Sequence, residues 1–263
     1  MLSLVSGIVA AIALITPLYI VYKPPRIVIR FAQRQWEDVW WNVPTSKRIV
    51  ALTIDDGPSE YTQEILDILR SNDATATFFV IGSHATPDRE EVLRDLIRHG
   101  NELANHAMRD EPSCLLSEAE LVDNINCVQE IISDIEATAR PGEADHKDQD
   151  VEITQRPLYF RPGGGFFSTK MRKILSKMGY YLILGDIYPH DPFVPFWKIN
   201  NWHILSSAHP GGIIICHDGR SWTPPMLRNL LPELKRRGYR VVTLTELLKE
   251  GECNQFVKSG CSI

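Results

Sequence analysis

Polar side chains able to perform hydrolysis directly follow several short apolar runs of this sequence. They are Asp55 with Asp56, His106 with Asp110 four residues later, Arg161, Asp186, and His217 with Asp218. Two adjacent carboxylates can divide labour, because one can bind a metal while the other accepts a proton from water. A histidine suits the role of proton donor, since its pKa lies close to neutral pH. Together these residue types predict metal-assisted hydrolysis.

Strand-like and helix-like patterns alternate around these positions. Strands are predicted at 48–54, 75–81, 102–105, 158–160, 180–185, 211–217 and 240–244, and helices at 60–71, 88–99, 117–137, 168–178 and 225–237. Such alternation predicts parallel βαβ units, and about seven strands in some 200 residues favour a (β/α) barrel. Functional residues of a barrel lie at the carboxyl ends of its strands, where the polar residues stand here. The paired carboxylates must diverge, so Gly57-Pro58 predicts a turn at that point.

Five motifs in order resemble those of the polysaccharide deacetylases, the NodB-homology domain of carbohydrate esterase family 4. They are Thr53-Ile54-Asp55-Asp56-Gly57-Pro58, Gly100 to His106, Arg161 to Gly165, the segment around Asp186, and Ile214-Ile215-Cys216-His217-Asp218. The resemblance extends over residues 48–248. It implies an α/β fold, a deformed (β/α) barrel of the NodB-homology type over residues 47–250. The implied activity removes N-acetyl or other N-acyl groups from amino sugars of chitin-like oligo- or polysaccharides.

The resemblance also implies a role for individual residues. Asp55 is expected to be the general base, Arg161 to hold Asp55 in place, and His217 to be the general acid. Asp186 is expected near His217, where it tunes the charge of the imidazole. The implied ligands of a divalent metal, with zinc first, are Asp56, His106 and Asp110. The candidates to contact substrate are Gly163, Gly164, Tyr188, His190 and Trp222.

Three departures from the family pattern affect the expected site. Asp110 stands where the family has a second metal histidine, and a carboxylate is an acceptable ligand that makes manganese or cobalt plausible beside zinc. Gly163 replaces the usual proline of the third motif. The tryptophan of the fourth motif is missing, so Trp222, or else Trp197 or Trp202, is the candidate for an aromatic wall.

The N-terminal segment differs from the rest of the chain. Residues 2–22 carry no charge, and 21 residues suffice to span a bilayer as a helix. We expect residues 1–22 to be a single-pass membrane anchor, with a signal peptide and a buried core helix as alternatives. Residues 23–46 are expected to be a linker and lead-in, and residues 251–263 a tail. The side of the membrane stays open, because positive residues after the span favour the cytosol while polymer substrates favour the outside.

Composition limits the partners of the chain. A net charge of −5 and a pI near 5.9 argue against nucleic-acid binding, and a monomer is expected. Two alternatives to the polymer deacetylase remain. One is a deacylase of a lipid-linked or glycolipid amino sugar, which the anchor suggests. The other is a catalytically silent carbohydrate-binding protein, which the departures in the motifs suggest.

Overall fold

A curled parallel sheet frames the described part of the chain, which in this computed structural model is residues 13–14, 16–17, 19–139 and 156–251. Its strands are β1 (Val39–Trp40), β2 (Ile49–Gly57), β3 (Thr77–Val80), β4 (Glu102–Asn105), β5 (Leu158–Phe160), β6 (Tyr180–Ile183), β7 (Ile213–His217) and β8 (Arg240–Val242). The spatial order is β1-β6-β5-β4-β3-β2-β7, with β8 beside β2. All of these pairings are parallel. The α/β class is therefore confirmed, with the barrel realised as a curled sheet.

Helices connect the strands and cover the outside of the curl. They are α1 (Arg26–Gln35), α2 (Thr62–Ser71), α3 (Glu90–Arg98), α4 (Glu118–Ala139), α5 (Thr169–Lys177), α6 (Trp197–Ser207), α7 (Thr223–Arg236) and α8 (Leu244–Glu250). Local signals set several boundaries. At the start of α4, the Ser117 and Glu120 side chains accept hydrogen bonds from each other's backbone N–H, a capping box.

The two faces of β2 pack in two different cores, because successive side chains of a strand point to opposite faces of the sheet. Val50, Leu52 and Ile54 pack in the large core shared with α2, α3 and α7. Ile49 and Ala51 belong to a second core that also draws residues from β3 to β8. Strands that are far apart in the strand order can contribute to one core only if the sheet curls. This second core therefore lies on the concave face of the sheet.

Two segments are more regular than the sequence predicted. The lead-in at 23–46 contains α1 and β1, and β1 pairs with β6 at the edge of the sheet. The Pro- and aromatic-rich stretch 187–203 is typical of a loop, but from Trp197 onwards it belongs to α6. Helix α6 was missed because its sequence has no one-sided apolar stripe, and its apolar residues lie both in the core and on the surface.

Several sequence predictions fall mainly outside the described residues. Most of the expected anchor at 1–22 is among them, as are most of the polar, acidic stretch 138–156, for which a surface insertion is expected, and the tail beyond residue 251. A helix with the length and apolarity needed to cross a bilayer is not found in the described ranges.

Gly211, in the loop before β7, allows a close approach of two backbones. Its φ is +79°, its carbonyl accepts a hydrogen bond from Val43 N–H (N···O 2.9 Å), and a Cβ would lie 1.8 Å from the Val43 carbonyl oxygen. We expect Gly211→Ala to lower the free energy of unfolding by more than about 3 kcal/mol, because the clash with backbone adds to the left-handed strain. Urea denaturation measures this change.

Gly179→Ala is the matched control for Gly211→Ala. Gly179 has nearly the same φ, +78°, but a Cβ there would meet nothing within 4 Å. Strain alone should cost about 1–2 kcal/mol. Equal losses of stability in the two variants would contradict the proposed role of the Val43 contact.

Candidate active site

The candidate base and its partner form a buried ion pair at the carboxyl end of the sheet. Asp55 stands at an even spacing from Ile49 and Ala51, the concave-face residues of β2, and Arg161 stands two residues after Tyr159 of β5, which also faces the concave side. Both side chains therefore point into the curl. Arg161 Nη1 donates to Asp55 Oδ1 at 2.5 Å and to Thr53 Oγ1 at 2.8 Å. Both members of the pair are about 3% exposed, so the carboxylate is held in one orientation.

A bulge, rather than a turn after the strand, separates the two carboxylates. The register between β2 and β3 shifts between Asp55 and Gly57, and Asp56 has a φ of +68°. A bulge re-aims one side chain while the strand continues. Asp56 would otherwise point outward into the large core, and the bulge instead brings it to the same cavity as Asp55.

His106 is oriented towards Asp56 by a backbone contact. His106 stands two residues after Ala104 and so faces the concave side of the sheet as Ala104 does. Its Nδ1 lies 2.6 Å from the Arg161 carbonyl oxygen. The Nδ1–H therefore donates to that carbonyl, which leaves Nε2 3.5 Å from Asp56 Oδ1. Burial lowers the pKa of His106, but the hydrogen bond to Asp56 and the nearby carboxylates raise it above the ordinary value.

His217, the candidate acid at the end of β7, is held by Asp191. Both oxygens of Asp191 are engaged, because Oδ1 lies 2.9 Å from His217 Nδ1 and Oδ2 accepts from the His217 backbone N–H at 2.9 Å. Burial alone would favour the neutral imidazole, but the charge of Asp191 and its hydrogen bond raise the pKa of His217 to about 9. The imidazole is therefore protonated at neutral pH.

The expected partnership of Asp186 with His217 is corrected by this geometry. Asp186 lines the cavity, but its Oδ2 accepts from Asn42 Nδ2 at 2.7 Å and pairs with His209 Nε2 at 2.8 Å. The residue that sequence reasoning missed is Asp191, five positions further along. A carboxylate just beyond the fourth motif was visible in the sequence, but only the fold shows which of the two meets the imidazole.

Three of the five candidate substrate contacts line the cavity that holds the catalytic candidates. Gly164, Tyr188 and His190 line a cavity of about 570 Å³ together with the catalytic candidates, and the ring centroids of Tyr188 and His217 are 5.9 Å apart. Gly163 is buried and does not line the cavity. Its Cα lies against the Glu111 carbonyl, and a Cβ would come within 2.2 Å of that oxygen.

Trp222 does not line the cavity, contrary to its expected role as an aromatic wall. Its indole N–H donates to the Asp191 carbonyl oxygen at 3.0 Å, so it supports the partner of His217. The tryptophan that lines the cavity is Trp41, whose segment β1 places next to β6. Trp41 reaches the cavity because the lead-in pairs with the edge of the sheet, a contact between residues distant in sequence. No local sequence pattern predicts that pairing.

Two further residues lie beside Asp56, and neither is among the expected site residues. Arg220 lines the cavity, and its Nη2 lies 3.6 Å from Asp56 Oδ2. His84 Nδ1 lies 2.8 Å from the Asp56 carbonyl oxygen and thus fixes the unusual backbone of Asp56. Burial acts against ionisation of Asp56, but its bond to His106 and the surrounding positive groups hold its pKa below the ordinary value.

The donor set fits a divalent metal at two of the three expected positions. Asp56 Oδ1 and His106 Nε2 converge, and the contact of His106 Nδ1 with a carbonyl is typical of a metal-binding histidine. Asp110 lines the same cavity on an exposed loop. Three His, Cys, Asp or Glu side chains in ligand geometry are not found within the described ranges, so Asp110 does not complete the set in this conformation.

Comparison with known proteins agrees with the motifs. The family model for polysaccharide deacetylase matches residues 42–183. A peptidoglycan-N-acetylglucosamine deacetylase of Bacillus cereus is 33% identical, over 80% of this chain and 93% of the relative. The chain belongs to the polysaccharide deacetylase family. The match to this relative extends over 217 residues, more than the family model covers.

Solved structures with a fold similar to that of this chain include both a deacetylase and a pseudoenzyme. A peptidoglycan N-acetylglucosamine deacetylase in complex with a benzamide ligand superimposes with a TM-score of 0.71 at 24% identity, over 84% of this chain and 98% of that one. A family 4 pseudoenzyme from Bacillus anthracis superimposes with a TM-score of 0.66 at 26% identity, over 81% and 69%. The first comparison supports the fold alone.

The Asp191→Asn variant tests whether Asp191 sets the pKa of His217. Loss of the negative charge should lower the pKa of His217 from about 9. A general acid works only while protonated, so activity is present below this pKa and lost as the pH rises through it. We expect the alkaline limb of the kcat/KM profile to move to lower pH by at least about one unit.

Asp186→Asn is the control for this shift. Asp186 pairs with His209, so its variant should leave the alkaline limb in place even if the rate falls. A shift in Asp186→Asn, with none in Asp191→Asn, would assign the tuning of His217 to Asp186 after all.

Proposed function

We propose that this chain is a metal-dependent hydrolase that removes N-acetyl groups from amino sugars of oligo- or polysaccharides. The observation that carries the proposal is the convergence of three elements on one cavity. These elements are the Asp55–Arg161 ion pair, the His217–Asp191 pair, and the Asp56–His106 pair.

The chemistry requires two proton transfers that these side chains are suited to perform. Asp55, held by Arg161, accepts a proton from the attacking water. His217 donates its proton to the amine nitrogen, so that the sugar leaves as a neutral amine and acetate is released. Asp191 stabilises the imidazolium before that transfer. A divalent metal, when bound by Asp56, His106 and Asp110, would polarise the acyl carbonyl and make water a stronger nucleophile.

The substrate is proposed to contain N-acetylglucosamine. The Bacillus cereus relative is named for this sugar in peptidoglycan, and chitin-like oligomers present the same N-acetylated unit. The apolar segment at 2–22 is proposed to anchor the domain to a membrane.

A catalytically silent carbohydrate-binding protein is the second candidate. Two observations favour it, namely the exposed Asp110 in place of a metal histidine and the similarity to a family 4 pseudoenzyme. Such a protein would bind the sugar without turnover, and that difference makes the two candidates separable.

Acetate release separates these candidates. We expect the purified protein, stripped of metal and supplied with zinc, manganese or cobalt, to release acetate from chitin oligomers or peptidoglycan. Asp55→Asn should lower kcat by at least about 100-fold, because the base is lost, while sugar binding is retained. Binding without release by folded wild-type protein in every metal would favour the silent protein.

Asp110 variants test the third metal ligand by affinity rather than by rate. We expect Asp110→Ala to weaken zinc binding at least about tenfold and Asp110→His to strengthen it, because imidazole suits zinc better than a carboxylate. Isothermal titration with each metal measures both effects. Unchanged affinities in both variants would remove Asp110 from the metal site.

A further inference from the structure

Large apolar side chains are exposed beside the cavity and on the neighbouring helix α6. We call this set the apolar rim, and its members with their exposed fractions are Val21 (72%), Phe193 (80%), Phe196 (62%), Ile199 (45%) and Trp202 (56%). Val21 and Phe193 also line the cavity. Ile199 and Trp202 are three residues apart and so share the outer face of α6, and Phe196 directly precedes that helix. Single exposed apolar residues are ordinary, but a group beside a cavity indicates a contact surface.

Contacts between α6 and the N-terminal segment make the rim continuous. The Tyr22 ring lies edge-on to His203 of α6 at 4.7 Å and stacks on His190 at 5.1 Å. Lys23 Nζ donates to Ser206 Oγ at 2.7 Å and lies 5.1 Å from the centre of the Trp202 ring. The chain that leads from the uncharged stretch at 2–22 therefore enters the domain at this rim.

The two chain segments that carry the apolar rim and the adjoining helix α1 have charges of one sign only. The segments 19–36 and 192–207 contain Lys23, Arg26, Arg30, Arg34 and Lys198 but no Asp or Glu, in a chain with 33 acidic residues and a net charge of −5. Helix α1 exposes Ile27 and Phe31 as well as its arginines. Apolar and aromatic side chains mixed with cations are the composition of surfaces that lie in the headgroup region of a bilayer.

We propose that the apolar rim docks on an anionic lipid bilayer and holds the cavity mouth at the level of the headgroups. The favoured substrate is then an N-acyl amino sugar presented on a lipid, and this part rests on the function proposed above. A second copy of the chain would not account for the concentration of like charge, since two such faces repel. The bilayer accounts for the cations, the aromatic residues and the adjoining uncharged segment together.

Fluorescence of Trp202 tests docking separately from insertion of residues 2–22. The full chain is reconstituted in vesicles of phosphatidylcholine with or without phosphatidylglycerol, and the acyl chains carry bromine, which quenches tryptophan within the bilayer. We expect stronger quenching in wild type than in Trp202→Phe, and a larger difference with phosphatidylglycerol. Trp40→Phe, on β1, should leave the quenching unchanged. Equal quenching in wild type and Trp202→Phe would overturn the proposal.

A pair of substrates tests the consequence for catalysis. We expect Phe196→Ser with Trp202→Ser to slow acetate release from a vesicle-borne alkyl glycoside of N-acetylglucosamine by at least about tenfold, the equivalent of 1.4 kcal/mol of lost docking. Release from a soluble chitin oligomer should stay within about twofold of wild type. Equal slowing with both substrates would overturn docking as the cause.

Two other outcomes keep the proposals distinguishable. Quenching that depends on Trp202, without acetate release from either substrate, would support docking and overturn the hydrolase. Self-association of the full chain in detergent, detected by light scattering and abolished by Phe196→Ser with Trp202→Ser, would show that a second copy covers the rim and would overturn the bilayer proposal.

Discussion

The guanidinium of Arg161 joins the carboxyl ends of three strands, and the arrangement of the site depends on it. Arg161 follows β5, pairs with Asp55 in β2, and donates from Nε to the Ile183 carbonyl of β6 at 3.2 Å. The central carbon of the guanidinium also lies 4.1 Å from the centroid of the Phe79 ring of β3, which adds a cation–π interaction. A buried ion pair is costly to desolvate and is weak evidence for stability by itself. Its position under the cavity points instead to a role in holding the base.

The same residue also orients the metal candidate through its backbone. The Arg161 carbonyl accepts from His106 Nδ1, so one residue fixes both the base and the imidazole that faces Asp56. The side-chain contact and the main-chain contact are tied together by the short strand β5. A displacement of that strand would therefore disturb proton transfer and metal binding together.

The two departures at positions 110 and 163 meet in space. The loop after β4 carries Asp110, and the next residue, Glu111, places its carbonyl against the Cα of Gly163 in the loop after β5. The Gly163 N–H donates to Ser113 Oγ at 3.0 Å, a bond that a proline could not make. Glycine in the third motif is thus required by the path of the loop that carries the altered ligand. The departures form one altered region rather than two separate losses.

Local sequence determined the strands other than β1, most of the helices, and the four cavity-facing residues at strand ends, Asp55, His106, Arg161 and His217. Buried β-branched runs form strands, and alternate residues of a strand face the same side of the sheet. Asp55 therefore faces the concave side like Ala51 and Thr53, and His217 faces it like Ile213 and Ile215. Tertiary structure alone decided which carboxylate holds His217, that Trp41 rather than Trp222 lines the cavity, and that α6 exposes an apolar face. These outcomes depend on contacts between residues distant in sequence or on loop paths. A periodic pattern encodes which way a side chain faces within its own element, but it carries no information on which element will lie opposite.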